Sequence, residues 1–210
     1  MSPRPIAIVG LLGGQWFGRA AETALREADV LLGHARQFAV LADDIKGERV
    51  ESWGDLAAVL DQACAARDGG RNACILAAGD PGFHGMVRFA VDRLGADGVA
   101  VHPAPSSVAL AFARLGERWD DATVVSLHGQ PLDEAVAAVL AEPKVAVLVS
   151  KRQPAEALGG ALLDAGCPPR DIAVCTRLAE PDESVVRTDL AGLAAGPFDD
   201  LSVVVVRAPR

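Results

Sequence analysis

Short apolar runs alternate with helical patterns from the start of this chain, and that alternation constrains its fold more than any other feature. Pro5 to Val9 reads as a strand, Gly10 to Gly14 as a tight glycine turn, Arg19 to Ala28 as a helix, and Val30 to Leu32 as a second strand closed by Gly33. Leu56, Val59, Leu60, Ala63 and Cys64 then recur at the spacing of a helix with one apolar face, within Asp55 to Arg67. Ala73 to Ala77 is a strand that runs into Gly79-Asp80-Pro81-Gly82; Met86 to Leu94 is a helix ended by Gly95, and Val99 to Val101 a strand. Half of the residues are hydrophobic but only 4% are aromatic, with no Tyr, so the apolar surface is Ala, Val and Leu. That composition suits helices packed on both sides of a buried sheet.

Two prolines within His102 to Pro105 favour an extended crossing segment, and the domain boundary is expected here, with domains at 1–104 and 105–210. Ser106 or Ser107 can cap the helix Val108 to Leu115 that follows. The second half repeats the alternation. Thr123 to Leu127 and Val145 to Val149 read as strands, and Pro131 and Pro154 open helices. Ile172 to Leu178, Ser184 to Thr188 and Leu201 to Val206 form the antiparallel part of a mixed sheet. The expectation is a pair of α/β domains with a ligand in the cleft between them. At 210 residues the chain buries enough surface to need no disulfide or metal staple.

Charge and motif content exclude several functions. A formal net charge of −8 argues against nucleic acid as a partner, though not against a small anion held by local charge. Cys64, Cys74, Cys167 and Cys175 lack the spacing of a zinc or redox site and read as small buried hydrophobes in a reducing cytoplasm. His34, His84, His102 and His128 are dispersed, so no metal is expected. The run Ile6 to Leu12 is too short for a leader, and no apolar stretch approaches the roughly 20 residues of a membrane span. A dinucleotide fingerprint would need glycine where Leu12 and Gln15 stand after Gly10.

Four segments remain as candidates for chemistry. In Leu76 to Gly85 a strand ends in small residues and a Gly-Asp-Pro corner, whose backbone can lie against an adenosine or amino-acid moiety. Pro103 to Val108 places two hydroxyls at a helix start, as a cap, a carboxylate holder or both. Ser126-Leu127-His128-Gly129 ends the first strand of the second half. The glycine turn after the first strand is the fourth.

Taken in order, these segments resemble the tetrapyrrole methylases, and within them the CbiE branch, also the N-terminal half of CobL-type enzymes, which methylates carbon 5 of a precorrin ring. The matching stretches are Ala28 to Gly33, Ala77 to Gly85, Ser106 to Gly116 and Trp119 to Gly129. The resemblance implies the two-domain class III methyltransferase fold, with a mixed sheet flanked by helices in each domain, and a cytoplasmic homodimer. It implies S-adenosylmethionine as cofactor, without a metal, and a precorrin-6B or cobalt-precorrin intermediate of cobalamin biosynthesis as substrate. Carried over by residue, the cofactor should meet Gly79, Asp80, Pro81, Phe83, Ser106, Ser107, Val149, Ser150 and Leu178. His84 and His128, in strand-end loops, are candidate bases. Gly13 lies in a turn on the acceptor side, where Leu12 and Gly13 replace the family's usual Gly and Pro. A carboxylate-rich acceptor on an acidic protein calls for a local basic rim, for which Arg36, Arg88, Lys151 and Arg152 are candidates, with Arg114 either joining them or standing as a solvated charge. The fused module that methylates carbon 15 and decarboxylates a side chain would be a separate partner. A sibling methylase with another ring position or acceptor, and a tetrapyrrole-binding subunit without catalysis, stay open as alternatives.

Overall fold

The computed structural model describes residues 4–52, 54–83 and 85–209. The backbone divides into two compact units, Met1–Ser106 and Ser107–Arg210. The first contains β1 (Ile6–Leu11), α1 (Arg19–Arg26), β2 (Val30–Gly33), α2 (Ala35–Val40), β3 (Glu48–Glu51), α3 (Leu56–Asp68), β4 (Ala73–Ala78), α4 (Met86–Leu94), a 3-10 turn at Ala96–Gly98 and β5 (Val99–His102). Its strands lie in the order β3-β2-β4-β1-β5, and every ladder is parallel.

Why these runs are apolar throughout is visible in how they split between two faces. In β1, Ile6 and Ile8 pack with α3 and α4, while Val9 and Leu11 pack with α1 and α2. In β4, Ala73, Ile75 and Ala77 go to the first of these layers, Cys74 and Leu76 to the second. With a side-chain period of two and a helix layer on each face, no position is left for a polar residue. Burial pushes the Cys74 thiol up to about 12, so it is inert packing, as the sequence suggests. Asp55 starts α3 by accepting from the Ala57 and Ala58 amides at 2.9 and 3.3 Å, a cap worth about 1 kcal/mol.

The second unit contains α5 (Ser107–Leu115), β6 (Thr123–Ser126), α6 (Leu132–Ala141), β7 (Lys144–Leu148), α7 (Ala155–Asp164), β8 (Asp171–Thr176), β9 (Ser184–Thr188), α8 (Leu190–Ala195) and β10 (Ser202–Arg207). The order is β6-β7-β10-β8-β9, with β6 parallel to β7 and the other pairs antiparallel. Mixed strand directions therefore belong to this sheet, while the first sheet is parallel. Helices α6, α7 and α8 share a core with Val145, Val147, Val174, Val204 and Val206. Helix α5 packs along β10 through a face that buries Val108, Ala111, Phe112 and Leu115. Pro131 and Pro154 sit one residue before their helices, in the cap position, so neither costs a helical hydrogen bond. Among the described residues no helix is long and apolar enough to cross a membrane.

Candidate active site

In the first unit, β1 and β4 are neighbours whose connections leave toward opposite faces, α1 into one helix layer and α4 into the other. Such a switch point, at the carboxyl ends of parallel strands, is where open α/β sheets take ligands. Gly10 stands at its centre. A Cβ built there would lie 2.1 Å from the Gly79 carbonyl oxygen, 2.7 Å from the Ala104 amide nitrogen and 3.0 Å from Pro81 Cδ. Three segments thus meet on one missing side chain: the end of β1, the Gly-Asp-Pro loop after β4, and the Pro-Ala-Pro run after β5. Read in sequence as part of a turn, Gly10 proves to be the last-but-one residue of the strand and the point of closest approach.

The Gly-Asp-Pro loop is fixed from within. Gly79 has φ +64° and donates its amide to the Leu11 carbonyl at 2.8 Å. Asp80 turns its carboxylate back to accept from the Gly82 amide at 2.8 Å, and its carbonyl accepts from the Phe83 amide at 3.0 Å. Asp80 therefore shapes the loop before it can touch anything else, and Pro81 is buried beneath it. His84 lies outside the described residues.

The turn after β1 closes as a small hairpin. The Leu12 and Gln15 backbones exchange hydrogen bonds of 2.9 and 3.0 Å, and Gly13 and Gly14 both have positive φ, 55° and 82°. Two left-handed residues between paired ends make the mirror-image turn that demands glycine. Gly14 also presses on α2, since a Cβ there would lie 2.2 Å from the Val40 carbonyl. Gly13 is exposed beside it. Arg36, in α2 after β2, and Arg88, in the first turn of α4 after β4, are exposed and make no ion pair among the described residues. His34 caps α2, its Nδ1 accepting from the Arg36 amide at 3.1 Å. His102 ends β5 opposite Val9; burial lowers its pKa, so it is neutral at neutral pH.

In the second unit the carboxyl ends of β6, β7 and β8 point the same way, because β10 runs antiparallel to both β7 and β8. Along this edge stand Ser126 and His128, then Val149 to Arg152, then Leu178. The buried Ser126 hydroxyl lies 3.2 Å from His128 Nδ1 and accepts from the His128 amide at 3.3 Å, which orients the exposed imidazole. Ser150 and Gln153 exchange backbone hydrogen bonds of 3.0 Å, and the Ser150 hydroxyl donates to the Leu127 carbonyl at 3.2 Å. Lys151 and Arg152 at the tip of that turn are exposed and make no ion pair among the described residues. Val149 is only 1% exposed, with its side chain in the core and its amide donating to the Ser202 carbonyl at 3.3 Å.

Leu178 is half-buried between two non-glycine residues with positive φ, Arg177 at 49° and Ala179 at 65°. Such conformations cost on the order of 1–3 kcal/mol each and persist where their surroundings over-determine them. Here the surroundings are charged. The Arg177 guanidinium contacts Glu180 and Asp182 at 2.6 Å and Asp199 at 3.4 Å. Glu183 accepts from the Ala179 amide at 2.7 Å and from Arg114 Nη2 at 3.1 Å, and also pairs with Arg114 Nε. The bond to Arg114 chiefly holds the Glu183 carboxyl below its ordinary value, and Arg177 does the same for Asp182. Arg114 is therefore an exposed charge that Glu183 already pairs, rather than an unpaired cation for a rim. Sequence reading missed this network because its residues look like any charged loop.

Sequence reasoning thus named residues that gather on two edges: Gly13, Arg36, Gly79, Asp80, Pro81, Phe83, Arg88 and Ser106 at the first sheet, His128, Val149, Ser150, Lys151, Arg152 and Leu178 at the second. Ser106 and Ser107 stand on either side of the division between units, both half-buried. Among the described residues no group of His, Cys, Asp and Glu could hold a metal ion.

Two consecutive α/β units, a parallel sheet and a mixed one, each with ligand-type loops on one edge, define the class of the molecule. A family model of Tetrapyrrole (Corrin/Porphyrin) Methylases matches residues 6–194, and the chain belongs to that family. It is 36% identical over 125 residues to a precorrin-6Y C(5,15)-methyltransferase [decarboxylating] of Sinorhizobium sp, covering 60% of this chain and 30% of the relative. It is 30% identical over 203 residues to the protein so named from Mycobacterium tuberculosis (strain CDC 1551 / Oshkosh), covering 95% of this chain and 50% of the relative. The chain therefore spans at most half the length of these curated relatives. A crystal structure of uroporphyrin-III C-methyl transferase from Thermus thermophilus, complexed with S-adenyl homocysteine, has the same fold, with a TM-score of 0.72, 21% identity, and coverage of 97% of this chain and 92% of that one.

Proposed function

We propose that the chain transfers a methyl group from S-adenosylmethionine to carbon 5 of a precorrin-6B or cobalt-precorrin acceptor in cobalamin biosynthesis. The observation that carries the reading is the meeting of three loops on Gly10, at the switch point of a chain that belongs to the tetrapyrrole methylases. Similarity to precorrin-6Y C(5,15)-methyltransferases supports the acceptor class. The demethylated donor held by a relative of the same fold supports the cofactor.

The residues present fit such a donor. Gly10 lets backbone from two loops close over β1 where a Cβ would hold them apart. Gly79, Asp80, Pro81 and Phe83 then offer backbone groups at a fixed corner, and Ser106, Ser107 and the Leu178 loop are the other donor contacts proposed. Ser150 acts by tying the ends of β6 and β7 together. The bound donor supplies an electrophilic methyl on a sulfonium. As the bond to the acceptor carbon forms, the bond to sulfur breaks, and the carbon's proton must leave. What the protein supplies is alignment and exclusion of water, which needs no metal. Arg36, Arg88, Lys151 and Arg152 are free to receive acceptor carboxylates as forked or point-charge partners. His128, oriented by Ser126, is a candidate to take the proton.

The experiment is binding of S-adenosylhomocysteine to the purified chain by calorimetry, before and after chelation, followed by incubation with labelled S-adenosylmethionine and a tetrapyrrole acceptor. Metal-independent binding and label in the acceptor are expected. Absence of binding at millimolar ligand would overturn the donor site. Label in a different class of acceptor would overturn the substrate.

A further inference from the structure

Resting on that reading of the donor site, we infer that Glu183 is a positioning residue: bridging Ala179 and Arg114, it holds the Leu178 loop in the shape that receives the donor. Leu178 is flanked by Arg177 and Ala179, two L residues in the left-handed region within three positions. A loop without support leaves such a conformation readily, because the right-handed and extended regions are more favourable for both residues. Three amides of this loop are held by backbone carbonyls. The Arg177 amide donates to the Leu201 carbonyl at 2.9 Å, the Glu180 amide to the Arg177 carbonyl at 2.9 Å, and the Glu183 amide to the Glu180 carbonyl at 3.0 Å. The Ala179 amide donates to the Glu183 carboxylate, at 2.7 Å.

Glu183 is the junction. One carboxylate accepts from the backbone of the strained residue and from the guanidinium of Arg114, which α5 holds by its buried face. Arg177 anchors the other side through Glu180, Asp182 and Asp199. Ion pairs exposed to this degree add little to global stability. Two arginines and four carboxylates gathered around seven residues therefore serve the local shape. The loop also stands at the strand-end edge that carries Ser150 and His128.

The test exploits the difference between a carboxylate and an amide. Glu183→Gln keeps size and one acceptor oxygen but cannot accept from the Ala179 amide and from Arg114 Nε at once, because those two donors use different oxygens of the carboxylate. We expect it to weaken S-adenosylhomocysteine binding about tenfold, with the thermal midpoint and the Michaelis constant for the acceptor nearly unchanged. Arg114→Ala, which leaves the Ala179 bond, should cost about threefold. Ala179→Gly alone is the reference for the double variant, since glycine enters the left-handed region without steric cost. Combined with Glu183→Gln it should restore most of the lost affinity. Rescue by Ala179→Gly separates a held backbone conformation from a lost direct contact or a loss of fold. If wild type binds S-adenosylhomocysteine and Glu183→Gln binds within twofold of it, the inference is wrong. It is equally wrong if Ala179→Gly fails to rescue. If wild type does not bind at all, the donor-site reading beneath it falls instead.

Discussion

Replacing Gly10 by alanine tests whether the three loops meet as tightly as the geometry states. The new methyl would lie 2.1 Å from the Gly79 oxygen and 2.7 Å from the Ala104 nitrogen. Both are backbone atoms, so no rotamer change relieves the clash. Gly79 is also tied to Leu11 by its own amide at 2.8 Å. To reach ordinary contact the Gly-Asp-Pro loop must retreat by more than about 1 Å. Overpacking of this kind costs about 1–3 kcal/mol, and backbone partners place it at the upper end. For a unit of about 100 residues, each kcal/mol lowers the midpoint by roughly 4–8 °C, so a fall of about 10–20 °C is expected in a thermal scan followed by circular dichroism. A displacement of that size at a positioning loop can also cost about a hundredfold in turnover. Gly160→Ala is the control, because a Cβ there meets nothing within 4 Å and its φ is negative-side helical. A midpoint for Gly10→Ala within a degree or two of wild type, with unchanged binding of S-adenosylhomocysteine, would refute the convergence.

The remaining expectations follow from the same packing and charges. Gly159 and Gly160 are neighbours in α7, yet alanine at Gly160 should stabilise by about 0.5–1 kcal/mol. At Gly159 alanine would sit 2.5 Å from the Ala194 nitrogen of α8 and should destabilise; opposite signs in urea melts check both. Glu183, Asp182 and Asp199 have carboxyls held below their ordinary values, Asp199 first by the Leu201 amide. Between those native values and about pH 4 the unfolded loop binds more protons than the folded one, so the clamp is complete above about pH 4 and lost as pH falls through the depressed values. S-adenosylhomocysteine affinity should accordingly hold down to about pH 4 and fall below it as these carboxyls protonate. Alanine at Arg36, Arg88, Lys151 or Arg152 should raise the acceptor Michaelis constant about two- to fivefold each, more at low salt, and leave the donor constant nearly unchanged.

The sheet order was beyond sequence, but most elements were legible because their apolar content tracks what they face. Strands β1 and β4 read clearly since both their faces are buried; helix α3 read clearly since one of its faces is. Three elements escaped. Strand β3 is Glu48-Arg49-Val50-Glu51, an edge strand that pairs with β2 alone and buries almost nothing, so it carries no apolar signal. Helix α2 has six residues and starts at His34, an uncommon cap whose role appears only once Nδ1 is seen accepting from Arg36. Helix α8 has six residues with Gly192 inside. At the site, motif resemblance found the loops but not their mechanics. Asp80 looked like a ligand contact and closes its own turn; Arg114 looked available and is held by Glu183. Left-handed alanine and arginine beside Leu178 have no sequence signature, since nothing in the residue types requires them.

The most direct measurement is the fate of the methyl group itself. The chain is incubated with S-adenosylmethionine carrying a carbon-13 methyl and with a precorrin-6B-type acceptor, and the product is analysed by mass spectrometry and carbon-13 spectroscopy. The account predicts a product heavier by one labelled methyl, whose new resonance is that of a methyl bonded to carbon 5. A label at another ring carbon, or an acceptor that returns unmethylated from a chain shown to bind S-adenosylhomocysteine, would contradict it.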